Sequence, residues 1–226
     1  VDGSNNPVMD KYGGSYFVFL FFGFITAEMT MLFLNTMPFK IREYQLTGIF
    51  EELMMSGRKE FQIILSTLLY PCFFQLIRFS LYFVLFSILE PQNNFLSNLS
   101  NFSYLAIILF STSLIGISLI SSAFTILYKS KGVINTLYLS TSSILSGVAF
   151  PVDLLPNFLI FLGEFIPTTQ FLKLVRADLA DTLIQQDAIL GLALLSVMAF
   201  VLIYLGIYLL NKSLLLSKQN GTLLTY

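Results

Sequence analysis

Five apolar runs, each near the ~20 residues that carry a helix across a bilayer core, leave this chain few folds to adopt. They cover residues 16–36, 61–89, 102–128, 133–150 and 189–211. Backbone inside hydrocarbon must satisfy its own N–H and C=O groups, so runs of this length are expected to be helices. The expected fold class is all-α: a polytopic helical membrane protein with five full spans, forming one transmembrane domain over residues 1–226. A sixth apolar piece, residues 154–166, is too short to cross and is bracketed by Pro151, Pro156 and Pro167. Half-length helices broken by proline suit a re-entrant hairpin on the outer side, within a segment of about 151–187.

Composition narrows the chemistry. Only 11% of residues are charged, against roughly 25% in soluble domains. With no His, there is no imidazole base, no His-based triad and no His-ligated metal site. No catalytic or metal-binding residue is therefore assigned. The single cysteine, Cys72, lies in an apolar run and is expected only to pack. A net charge of −1 gives no reason to expect nucleic-acid binding.

Lysine and arginine set the direction of the spans. Lys40, Arg42, Arg58 and Lys59 share one connection, Lys129 and Lys131 another, and Lys212 and Lys218 the tail. Residues 90–101 carry neither Lys nor Arg. The positive-inside rule makes the first three groups cytoplasmic and puts the arm before Tyr16 and residues 90–101 outside. Lys173 and Arg176 are exceptions, accompanied by Asp178, Asp181 and Asp187. An external Val1 with no apolar segment before Tyr16 leads to the expectation that a first span lies upstream.

Residues 42–54 form a charged stretch between two apolar runs, inside a cytoplasmic connection of about 40–58. Leu46, Ile49, Phe50, Leu53 and Met54 fall on one side at helical spacing. Glu43, Thr47 and Glu51 follow i, i+4, i+8 along another. An amphipathic helix is expected here, with its apolar face on the membrane domain and its acidic stripe toward the cytosol; an ordinary interfacial helix fits the same periodicity.

The run Gly48-Ile49-Phe50-Glu51-Glu52-Leu53-Met54, preceded by Arg42-Glu43 and followed by Ser56-Gly57-Arg58, resembles the cytoplasmic signature of type-two ATP-binding-cassette permeases. Ile49 and Phe50 stand where that family has Thr-Leu, and the spacing from Arg42 to Gly48 is one residue longer than the family's. A second stretch is also similar to that family. It comprises Ser146-Gly147, Phe150-Pro151, Leu155-Pro156, Ile166-Pro167-Thr168 and Arg176. The resemblance implies a coupling helix that docks on a separate ATPase subunit through Arg42, Glu43, Gly48, Glu51 and Leu53. It also implies an outer gate built on Gly147, Pro151, Pro156, Pro167 and Arg176.

Glu28 and Arg78 sit inside apolar runs, where a charge costs at least ~2.5–3.5 kcal/mol at mid-depth. Glu28 is twelve residues past Tyr16 and Arg78 eleven before Leu89, which gives the two nearly equal depth on antiparallel neighbours. They are expected to pair, with the lining of a substrate path as the alternative. Ser111, Thr112, Ser113, Ser118, Ser121 and Ser122, and then Ser140 to Ser143 and Ser146, make two runs hydroxyl-rich. Most are expected to bond back to their own helices.

No Gly-x-x-x-x-Gly-Lys-Ser/Thr loop occurs, so the chain is not expected to hydrolyse ATP itself. The expected protein is the permease subunit of an ATP-driven exporter in a bacterial inner membrane. It would bind no cofactor of its own, with ATP and Mg in the partner ATPase, and would work with a second permease copy, identical or not, among membrane lipids. A mainly greasy path favours a lipid-like, amphipathic or drug-like cargo, or a glycan, over an ion. The alternatives are a non-transporting anchor that recruits an ATPase and a membrane-embedded lipid enzyme.

Overall fold

The computed structural model describes residues 16–55, 62, 66–67, 69–89, 100–130, 132–180 and 182–219. Among them every regular element is helical: α1 (Tyr16–Thr47), α2 (Ile49–Met55), α3 (Leu69–Leu89), α4 (Asn101–Tyr128) and α5 (Val133–Leu145) come first. A 3-10 turn at Val152–Leu154, then α6 (Asn157–Gly163), α7 (Pro167–Leu179) and α8 (Gln185–Gln219) follow. Three of these, α1, α4 and α8, are long and apolar enough to cross a membrane. The arm before Tyr16, residues 56–61 with Arg58 and Lys59, the connection 90–99, Lys131 and Asp181 lie outside the described residues.

Two expected boundaries change. The run 133–150 is not one helix, because α5 stops at Leu145 after 13 residues, about 20 Å of helix against a ~30 Å bilayer core. The cause is local: Ser146 makes the last helical hydrogen bond, to Ser142, Gly147 turns to φ +74°, and Pro151 follows. Conversely, α1 runs through Pro38 as far as Thr47 and ends where Gly48 takes φ +77°, the left-handed conformation that glycine adopts most cheaply after a helix.

Between lipid-embedded helices there is no hydrophobic driving force, so close packing must hold the bundle. Helix α4 is its hub, lying along α8 and touching α1, α5 and α7. At the α4–α8 crossing the two backbones nearly meet: a Cβ on Gly116 would lie 2.6 Å from the Leu202 carbonyl carbon, and one on Gly206 2.8 Å from the Gly116 oxygen. One apolar cluster joins Phe22, Phe33, Phe110, Leu114, Phe171 and Leu195, with the Phe110 and Phe171 rings stacked at 4.4 Å. A second, toward Gly48, joins Met37, Ile41, Phe50, Leu119, Ile126 and Leu210. Helix α8, though packed along α4, is the less enclosed of the three long helices, 28% buried over its most apolar window against 56% for α1 and α4.

Candidate functional site

Chemistry-bearing residues gather at the two ends of α1 and at its middle. At the Gly48 end the stretch 42–54 is not one helix. Gly48 breaks it, so Arg42 and Glu43 belong to the last turns of α1, while Gly48 is the hinge and Glu51 and Leu53 fall in α2. The stripe Glu43–Thr47–Glu51 is interrupted by that turn. Glu43 pairs with Lys40 at 2.9 Å on the surface, and Arg42 donates to Gln45 Oε1 at 3.3 Å. The expected apolar face is also redrawn. Phe50 is 1% exposed, inserted among Met37, Ile41 and Leu119, whereas Ile49 is 41% and Met55 86% exposed. Among the described side chains of α2, Phe50 is thus the buried anchor, while Ile49 and Met55 point outward. Leu53 is half-buried; the side chains of Glu51 and Met54 lie outside what the structure describes.

At the other end two of the expected gate residues, Gly147 and Arg176, meet in a clasp. Arg176, 4% exposed, donates from Nη1 to the Gly147 carbonyl at 2.8 Å and from Nη2 to the Phe19 carbonyl at 3.0 Å. Its guanidinium lies 3.6 Å from the Phe19 ring centroid, a cation–π contact. The same junction touches α1 again, since a Cβ on Gly23 would meet the Val148 oxygen at 2.0 Å. Arg176 therefore ties α7, the turn after α5 and the first turns of α1 together. Pro151 and Pro156 each cap the short helix that follows them, and Pro167 opens α7. The axes of α6 and α7 make an angle of 94°. Beneath this arch lies a cavity of about 290 Å³, lined by Ser146, Asp153, Ile160, Lys173, Arg176 and Thr182 among others.

The cations that broke the charge rule have local partners. Lys173 pairs with Glu164, and Arg176 bonds carbonyls. Asp178 instead accepts hydrogen bonds from the Ser100 N–H and the Ser103 hydroxyl, which places a carboxylate at the N-terminus of α4 where the helix dipole favours it.

At mid-helix, Arg78 Nη1 lies 3.0 Å from Glu28 Oε2, bridging α3 and α1 with both side chains half-buried. Hydroxyls behave largely as their helices allow: Ser111, Ser113 and Ser122 donate to carbonyls three or four residues back. A buried triad stands apart, in which Ser142 donates to Thr168 Oγ1 and Tyr138 meets the same oxygen, both at 3.0 Å.

Sequence reasoning passed over Phe19, Asn135 and Tyr138, and named Thr168 and Asp178 without the contacts they make. Only Asn135 left a trace: Pro38 cannot donate to Leu34, so a donor had to come from elsewhere, although nothing said which. Among the described residues, no three Cys, Asp or Glu side chains converge as metal ligands would. Compared with protein-family models, curated proteins and solved structures, the chain finds no match.

Proposed function

We propose that this chain is the membrane-spanning permease subunit of an ATP-driven exporter of the type-two ATP-binding-cassette kind. The observation that carries the reading is α2: a seven-residue helix hung from a 32-residue helix by Gly48 and pinned through Phe50. Exposed Ile49 and Met55 are a footing for a soluble partner, and a push on α2 would reach the bundle directly through Phe50. The partner is an ATPase subunit that holds the ATP and Mg. In this reading α1, α3, α4, α5 with the turn after it, and α8 are five spans, and the arch of α6 and α7 is a re-entrant gate on the outer face of a bacterial inner membrane.

The surface of α5 supports a path. Its outward residues mix the hydroxyls of Thr136, Ser140, Thr141 and Ser143 with Val133, Leu137 and Ile144, whereas α8 turns out Leu190, Leu194, Val197, Phe200 and Tyr204. The α8 face matches lipid. A mixed apolar and hydroxyl face matches an amphipathic cargo route better, closed on the far side by a second permease copy. The cargo class that fits is lipid-like, amphipathic or drug-like, or a glycan.

Co-purification of the full-length protein from its native membrane tests the reading, with wild type beside Glu51→Arg. An ATPase that accompanies wild type and is lost on charge reversal is the expected result. An ATPase retained by both moves the contact away from Glu51, and none with either overturns the reading.

A further inference from the structure

Pro38 sits inside α1 and has no N–H, so the carbonyl of Leu34, four residues back, has no donor in its own helix. In hydrocarbon such a carbonyl must find another partner. Asn135 supplies it: Nδ2 donates to the Leu34 oxygen at 2.6 Å and also lies 3.2 Å from Asn35 Oδ1. Asn135 is 1% exposed, and two acceptors facing Nδ2 fix which way its amide points. A second contact seats the start of α5 at the same place, since a Cβ on Gly132 would lie 2.9 Å from Phe39 Cε1.

We propose that Asn135 is a positioning residue that completes the interrupted helix at Pro38 and locks α5 to a swivel in α1. The swivel lies between the Arg176 clasp at Phe19, which holds one end of α1, and the Gly48 turn from which α2 hangs at the other. Movement entering at α2 bends α1 about residues 34–38, and the Asn135 amide makes α5 follow. The bond stands on the geometry alone, and the swivel is inferred from it; that the motion carries cargo rests on the permease reading.

The test is a double-mutant cycle on the full chain in detergent, followed by circular dichroism. Asn135→Ala should lower the apparent melting temperature by about 3–6 °C in the native background. In Pro38→Ala, where a restored N–H closes the bond to Leu34, the same change should cost less than about 2 °C. Equal losses in both backgrounds overturn the proposal.

Spin labels at Phe24 and Leu46, both exposed and on either side of Pro38, give a second readout in a Cys72→Ser background. They stand about 33 Å apart along the helix. Asn135→Ala should broaden that distance distribution and Pro38→Ala should narrow it. An unchanged distribution in Asn135→Ala removes the swivel even if Pro38→Ala fails to fold. Neither measurement involves an ATPase, so this proposal can fail while the permease reading stands, and the reverse.

Discussion

Glu28 and Arg78 meet at 3.0 Å across α1 and α3, fifty residues apart in sequence and each alone in an apolar run. Either charge left without the other in a low-dielectric setting is penalised, whereas removing both removes the penalty with the attraction. Arg78→Met should therefore destabilise the protein more than Arg78→Met combined with Glu28→Gln, with a coupling of about 1 kcal/mol for a half-exposed pair. Thermal unfolding of the single and double variants by circular dichroism reads this. Additive losses would mean that the pair contributes nothing.

The glycine crossing of α4 and α8 predicts a graded series. At Gly116 a methyl would strike backbone of the facing helix at 2.6 Å, so Gly116→Ala must push the helices apart. At Gly191 the nearest atom is the end of the Leu174 side chain, at 2.8 Å, which can rotate away. Gly116→Ala is expected to lower stability by about 2 kcal/mol or more, in the range of overpacked cores, and Gly191→Ala by under about 1 kcal/mol. Melting of the two variants side by side decides it, and equal losses would place the tight contact elsewhere.

Periodicity and length made the long helices legible, because a bilayer-length apolar run has one way to satisfy its backbone. The depth count for Glu28 and Arg78 worked for the same reason: rise per residue is fixed, so charges at equal depth on neighbouring helices can meet. Boundaries set by single residues were less legible. Gly48 lies inside a stretch whose apolar spacing continues on both sides, so its left-handed turn was hidden by the pattern. Gly147 and Pro151 ended α5 early although the residues up to Phe150 remain apolar. Long-range contacts from a side chain to backbone were far less legible, because Arg176 and Asn135 donate to main-chain carbonyls, which every residue has.

Arg176 should tolerate no substitute. Lysine keeps the charge but offers one compact ammonium where the guanidinium reaches two carbonyls on different elements and stacks on Phe19. Arg176→Lys is expected to lose about 1–3 kcal/mol, close to Arg176→Gln, because each leaves a buried carbonyl without its donor. Gly147→Ala attacks the same clasp from the other side: φ +74° costs an L-residue about 1–2 kcal/mol, and the new Cβ would lie 2.5 Å from Val152 Cγ2. Denaturation of the three variants checks this; a lysine variant as stable as wild type would show that only charge matters there.

Phe50 and Met55 separate anchoring from docking on one short helix. Phe50 is enclosed by α1, α4 and α8, so Phe50→Ala leaves a cavity in the bundle and is expected to cost about 3–5 kcal/mol. Met55 is almost fully exposed, and Met55→Ser should leave unfolding unchanged within about 0.5 kcal/mol. If α2 is the footing of an ATPase, Met55→Ser and Ile49→Ser should nevertheless weaken co-purification of that subunit, whereas Phe50→Leu, which keeps the anchor, should preserve it. Stability that falls with Met55→Ser would mean that this side chain is packed rather than presented. Co-purification that falls only with the Phe50 variants would mean that the partner senses the position of α2 but does not touch its outer face.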